Sequence, residues 1–276
     1  MVSVLILTFN EEVNLPTCLK SLAWCDDIVV FDSFSTDRTL EIAKAAGARI
    51  IQRKFDNWSA HQNWAVANIP FKHPWVYYSD ADEVVTPQLA AELQRIAADA
   101  NRPEVAFRLR FKNMFLGRWL RHSSLYPTWV LRFFRPQHVR WEREVNPVPV
   151  IQGKEGKLNE HFLHYSFRKG LAEWFRKHNN YSTSESREAV KSMSRELDWK
   201  GIFSNSFARR RAALKDLSFR IPFRSFWIFL YLMIARRGVL DGPAGWTYCR
   251  MRAYYEFLIA AKVHELKRLK AGQPPG

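Results

Sequence analysis

The chain has 276 residues, 47% of them hydrophobic, which is enough to bury a sizeable core and excludes a disordered chain ahead of residues 271–276. Cys18, Cys25 and Cys249 show no C-x-x-C spacing, which speaks against a disulfide scaffold or structural zinc site and suits a reducing compartment. The net charge of +15 is uneven: residues 1–99 carry 8 Lys/Arg against 13 Asp/Glu, residues 100–199 carry 19 against 10, and residues 200–276 carry 15 against 4. A chain that coats nucleic acid has no obvious use for an acidic front, whereas a basic, aromatic back suits nucleic acid or an anionic membrane.

The front half alternates strand and helix. VSVLILTF (2–9) is a continuous apolar run without the basic flank or cleavage site of a secretory signal, and reads as a strand covered on both faces. A helix follows over about 14–22, then a second strand, DDIVVFD (26–32). Ser35 and Thr36 are expected to cap the next helix, whose apolar side holds Leu40, Ile42, Ala43 and Ala46 and which Gly47 ends. ARIIQR (48–53) is a third strand, 59–67 a helix carrying Trp64, and PWVYYSD (74–80) a fourth strand. Pro87 opens a helix running to about Ala98. Such alternation predicts an α/β fold with a mainly parallel sheet, whose ligands bind at the carboxyl ends of the strands.

From 105 to 164 the pattern is less regular, with strand-like pieces VAFRLRF, TWVLRFF, EVNPVPVI and HFLHYSF; from Leu171 onward it is helical. Segment 219–237 holds an apolar run, 226–235, flanked by Arg220, Arg224, Arg236 and Arg237. Ten residues fall short of the roughly 20 that span a bilayer, so the run reads as an interfacial helix or a buried core helix. The neighbouring Arg209–Arg211 triplet favours the membrane.

Polar clusters fall at three predicted strand ends: Thr8, Asn10 and Glu11; Asp32; and Asp80-Ala81-Asp82-Glu83. Asp-x-Asp after a buried strand sets hard oxygen ligands where a ligand would lie, which suits Mg²⁺ or Mn²⁺ shared with substrate phosphates. Alone the motif is common in solvated turns, and Thr8, Asn10 and Asp32 are also ordinary turn residues. Their shared placement at strand ends is what points to a site.

The pieces SVLILTFNEEVNLPTCLKSL, DDIVVFDSFSTDRTLEIAKAAGARI and WVYYSDADEVVTPQL together resemble a family 2 glycosyltransferase of the GT-A type, similar to small bacterial enzymes that build lipopolysaccharide core or other surface glycans. The resemblance runs on more loosely through LRFFRP, GKLNEHFLHYSF, WFRKHNNYSTSES and GVLDGPAGW. It implies an inverting transfer from a nucleoside-diphosphate sugar, commonly a UDP-sugar. Thr8, Asn10 and Glu11 would line the nucleotide pocket with Asp32 on the base; Asp80 and Asp82 would be the metal and diphosphate motif, and His164 a further metal or phosphate contact. Inversion needs a carboxylate base. Pro147 stands where related sequences carry a glutamate, which leaves Glu144 as first choice, Glu142 as second, and Glu83 and Asp82 as further possibilities.

Of Arg108, Arg110, Lys112, Arg118, Arg121, Arg132 and Arg135, some are expected to face an anionic acceptor, and Trp119, Tyr126 and Trp129 to stack on sugar rings or pack in the core. The expected division is a GT-A catalytic domain over 1–165, with helices on both faces of its sheet, and a helical, basic, membrane-associating region over 166–276. The expected enzyme takes a lipid-linked or lipopolysaccharide-core acceptor at an anionic surface, the cytoplasmic side of the inner membrane, and does not use nucleic acid. The alternatives are a catalytically degenerate relative and a nucleic-acid-binding protein, although no RNP, zinc-finger or KH signature appears.

Overall fold

The computed structural model describes residues 1–143 and 147–274, with 207 and 208 described by backbone alone. The chain divides into two compact units. The first comprises residues 1–119 and 126–169, the second residues 120–125 and 170–276. The expected boundary at 165/166 thus falls at 169/170, and a hexapeptide from the front half joins the back.

The first unit is built on one sheet. Strands β1 (Ser3–Thr8), β2 (Ile28–Asp32), β3 (Arg49–Gln52) and β4 (Val76–Asp80) lie parallel in the order β3-β2-β1-β4. Past β4 the order continues β8 (Trp129–Phe134), β6 (Glu104–Phe115), β11 (Lys154–His164) and β5 (Glu83–Val85). β8 runs antiparallel to both β4 and β6, β11 is parallel to β6, and β5 is antiparallel to β11. β7 (Arg118–Trp119) pairs with β6, and β9 (Val139–Glu142) pairs with β10 (Val148–Ile151) in a separate two-stranded sheet.

Strand alternation explains the two cores. Val4, Ile6, Val30 and Tyr77 point to one face, against α1 (Leu15–Ser21), α2 (Thr39–Ala45) and α4 (Pro87–Ala98). Leu5, Leu7, Val29, Phe31, Val76 and Tyr78 point to the other, against α3 (Trp58–Asn68). Both faces are covered, which is why these strands read as continuous apolar runs. Two helices start where their sequence says they should: Asn57 accepts from the Ala60 N–H to cap α3, and Thr86 accepts from the Leu89 N–H to cap α4, with Pro87 next. Ser35 and Thr36 do not cap α2. That helix begins later, behind Arg38 with no side-chain cap, because the Ser35 hydroxyl donates to Asp32 instead.

The second unit is helical: α5 (Leu171–Met193), α6 (Trp199–Ile202), α7 (Phe207–Ser218), α8 (Arg224–Leu230) with a π-helical extension Tyr231–Ala235, a 3₁₀ turn Gly238–Asp241, and α9 (Gly242–Lys270). α9 packs on α5 and α8. Asp241 fixes the hexapeptide: its carboxylate accepts from the N–H groups of Arg121, His122 and Ser123 and from the Ser123 hydroxyl, at 2.7–3.2 Å. No helix among the described residues is long and apolar enough to cross a membrane.

Candidate active site

The β1–β2 register sets Thr8 beside Asp32, and the β1–β4 register sets Leu7 beside Asp80, so the polar strand ends line up along one edge of the sheet. At the first two ends the loops are cross-bonded. Asp32 has no exposed surface; it accepts from Thr8 Oγ1 at 2.9 Å, the Ser35 N–H at 2.8 Å, the Ser35 hydroxyl and Gln52 Nε2 at 3.3 Å. Asn10, at φ +54°, donates its N–H to Ser35 Oγ and accepts from the Thr36 N–H, each at 2.8 Å. The Glu11 N–H donates to Thr39 Oγ1 at 2.7 Å, and the Glu12 N–H to Asp37 at 3.1 Å. Asp32 therefore acts within the protein as the buried anchor of the loop that follows it.

Beside this edge His61 stacks on Phe31 at 4.2 Å, with Nδ1 3.1 Å from Arg53, which is itself paired with Asp56 at 2.7 Å. Burial, then Arg53, pull the imidazole down to about 4. Glu11 is joined to Lys169 at 2.5 Å; burial raises its carboxyl and Lys169 works against that rise.

The third strand end is an acid cluster held by one cation. Arg132, on β8, is largely buried and reaches both Asp80 and Glu83, the latter at 2.6 Å. Its guanidinium lies over the rings of Tyr78 at 4.7 Å and Phe162 at 5.9 Å. Burial opposes the arginine's charge, yet Asp80 and Glu83 hold it protonated far above its ordinary range. Glu83 is buried, and burial pushes its carboxyl up to about 7 against the pull of Arg132. Asp80 and Asp82 keep part of their side chains at the surface, 38% and 22% exposed. His164 Nε2 lies 3.3 Å from Asp82, and its Nδ1 lies 2.8 Å from Asn113 Oδ1, so the ring is oriented from behind. Burial disfavours the imidazolium, but Asp82 leads the acids that raise its pKa.

The structure thus brings Thr8, Asn10, Glu11, Asp32, Asp80, Asp82 and His164 to neighbouring strand ends. It does not do so for Glu142, which alternates outward from the buried Trp141 and forms an ion pair with Arg140 at 2.9 Å. Glu144 lies outside the described residues. Arg132 turns inward to the acids instead of facing an acceptor, Arg108 pairs with Glu155 at 2.6 Å, and Arg110 bonds the Asn159 carbonyl. Trp129 is flanked by Arg110 at 5.2 Å and Lys157 at 5.0 Å; Trp119 and Tyr126 meet edge to face at 5.0 Å. Sequence reading did not find Asn113, His61 or Lys169; a buried polar residue opposite a strand-end acid is the signal that identifies them, and it needs the register.

Among the described residues no group of three or more His, Cys, Asp or Glu is arranged to hold a metal ion by itself. The two partly exposed carboxylates of one strand end nevertheless fit a hard divalent ion that completes its shell with phosphate oxygens and water, the usual arrangement for Mg²⁺.

Residues 3–154 match the family model described as glycosyl transferase family 2. The chain is 26% identical to the lipopolysaccharide core biosynthesis glycosyltransferase LpsC of Rhizobium meliloti, over 98% of this chain and 94% of that protein. It is also 26% identical to the uncharacterized glycosyltransferase RT0209 of Rickettsia typhi, over 96% and 87%. Among solved structures, S. aureus TarS (1–349) aligns over 99% of this chain and 92% of that one, with 14% identity and a TM-score of 0.45.

Proposed function

Because the chain belongs to glycosyl transferase family 2, we propose that it moves a sugar, with inversion, from a nucleoside-diphosphate sugar to a lipid-linked or lipopolysaccharide-core acceptor, assisted by Mg²⁺ or Mn²⁺. A UDP-sugar is the first donor to test. The observation that carries this reading is the pair of partly exposed carboxylates, Asp80 and Asp82, at the carboxyl end of a central parallel strand, next to the polar ends of β1 and β2. The full-length similarity to LpsC supports the acceptor class.

Asp80 and Asp82 would hold the ion, which when bound neutralises charge on the departing diphosphate. The rest is positioning by the chain. Arg132 keeps Asp80 and Glu83 together at the strand end, and His164, backed by Asn113, orients Asp82. The cross-bonded loops carrying Asn10, Glu11 and Ser35 shape the nucleotide side, and Asp32 holds them from below. The acceptor proton requires a carboxylate near the anomeric carbon. Glu144 is the leading candidate, since Glu142 is turned outward and Glu83 is buried.

The test is donor hydrolysis. The purified protein is incubated with UDP-, GDP- and dTDP-sugars and Mn²⁺ or Mg²⁺, and released nucleotide is measured for wild type and Asp82→Ala. We expect slow, metal-dependent release from one donor, reduced about 100-fold or more in the variant, a loss of about 2.7 kcal/mol in transition-state stabilisation. Absence of both release and metal-dependent nucleotide binding by calorimetry would overturn the catalytic reading in favour of a degenerate relative.

A further inference from the structure

The segment from α8 through the 3₁₀ turn is apolar on both sides but buried on only one. Leu232 and Met233 are buried with Cys249 of α9, and Ile228 and Phe229 pack against that cluster. On the other side Phe223, Phe226, Trp227, Tyr231 and Ile234 recur at helical spacing and stay exposed, Phe223 at 79% and Ile234 at 69%. Val239 and Leu240, at 60% and 65%, continue the exposed apolar series into the turn. A soluble surface scatters such residues singly; a series this dense marks an interaction site.

The charges choose the partner. Residues 217–240 contain four arginines and no Asp or Glu. Arg224 is committed inward, to Glu256 at 2.7 Å, and Arg220 donates to the carbonyls of Ser192 and Arg195. Arg237 is exposed directly behind the apolar run, and Arg236 stands beside it. A helix with Phe, Trp and Ile on its outer side and an exposed arginine, Arg237, behind it is suited to an anionic bilayer surface, with apolar side chains among the upper acyl chains and the guanidinium at the phosphates. The run is too short to span. The Arg209–Arg211 triplet contributes less than its sequence suggests, because Arg209 is paired with Asp198 at 2.8 Å.

We propose that the exposed face of α8 and its π-helical extension, led by Phe223, Phe226, Trp227 and Ile234, inserts into the surface of an anionic membrane and holds this chain there peripherally. The cytoplasmic leaflet of the inner membrane, expected from the sequence, is such a surface. The inference stands independently of the transfer chemistry.

The experiment is co-sedimentation of the full chain with vesicles of phosphatidylcholine alone and of phosphatidylcholine mixed with phosphatidylglycerol, at low and high salt. Wild type should bind the mixed vesicles, weaken with salt, and bind the neutral ones less. The double substitution Phe226→Ser with Ile234→Ser should cut partitioning at least about tenfold while leaving the circular dichroism spectrum and melting temperature in place. Quenching by brominated lipid should diminish in Trp227→Phe. If the variant loses its fold, the quenching of Trp227 in the wild type decides. Wild type that ignores both vesicle types overturns the proposal, as does brominated lipid that quenches Trp227→Phe and wild type alike. So does concentration-dependent dimerisation in vesicle-free solution that the double substitution abolishes, since the face then belongs to a second copy of the chain.

Discussion

The two units treat charge in opposite ways. In the first, charged side chains are matched within the fold: Arg132 with Asp80 and Glu83, Lys169 with Glu11, and Arg49 with Asp27 at 2.8 Å. Asp80 and Asp82, partly exposed, sit together at one strand end. In the second, the basic excess is spread over helices, and beside it lies an apolar face with no cover. A site that must hold a compact, highly charged ligand gains from groups fixed beforehand, because no reorganisation is then needed when the ligand arrives. A surface that meets a fluid, laterally averaged partner needs only sign and hydrophobicity. The contrast separates recognition by geometry from recognition by composition, within one chain.

Removing the cation at the centre of the first unit should have the largest effect. Arg132→Ala leaves Glu83 buried without its ion pair and Asp80 unanchored, a change that costs about 3–5 kcal/mol when a buried pair is broken from one side. The loss should depend on pH. Without Arg132 the Glu83 carboxyl rises further above its present value of about 7, so the folded variant keeps a proton that the unfolded chain gives up. Its stability then falls as pH rises through and beyond the ordinary carboxylate range. Urea unfolding of wild type and variant at pH 5 and pH 8 checks this; an equal deficit at both would mean that Glu83 is solvated and the pair is not buried in solution.

A smaller loss, confined to the helical unit, is expected from Gly245→Ala. A Cβ there would meet the Gly238 carbonyl oxygen at 2.4 Å and Asp241 Cβ at 2.6 Å, and neither can give way without moving the 3₁₀ turn. Asp241 in turn holds residues 121–123. Overpacking of this kind costs about 1–3 kcal/mol. Hydrogen exchange should show faster opening of 120–125 and of the start of α9, with the β1–β4 strands unchanged. Opening of both units together would show that the division into two is not a division in stability.

Much of the first unit was legible because its signals are local. The run VSVLILTF, the caps Asn57 and Thr86, and the Asp80-Ala81-Asp82-Glu83 turn each carry their meaning within a few residues. What escaped depends on register between distant segments. Arg132 stands 52 positions after Asp80 and reaches it because β8 inserts antiparallel between β4 and β6, which no pattern within TWVLRFF announces. Asp241 likewise commands a hexapeptide about 120 positions earlier, a pairing invisible to helical periodicity. Ser35 departs from its expected role for a related reason: its hydroxyl, able to cap a helix, donates instead to the buried Asp32, and α2 starts later. In the second unit the apolar run was evident, but whether one side or both were buried depended on α9.

The subtlest comparison between the units rests on two histidines, one in each, that share a lowered pKa. His61 is pulled down to about 4 by burial and by Arg53; His178, stacked on Trp174 at 3.6 Å, is pulled down to about 4 by burial and by Arg252 and Lys177, against the carbonyl of Trp174. Both are neutral in the fold at pH 5, where an unfolded imidazole of ordinary pKa near 6.5 binds a proton. Unfolding therefore takes up protons between about pH 6.5 and 4, and stability falls as pH falls through that window. His61→Gln should flatten the decline for the sheet and His178→Gln for the helices, each read by hydrogen exchange at pH 7 and pH 5. Both effects should weaken in salt, because part of each shift is charge repulsion, from Arg53 at His61 and from Arg252 and Lys177 at His178, whereas the larger part, burial, is indifferent to ionic strength. A decline that salt leaves unchanged would assign the shift at that site to burial alone, removing Arg53 from the account of the first unit or Arg252 and Lys177 from that of the second.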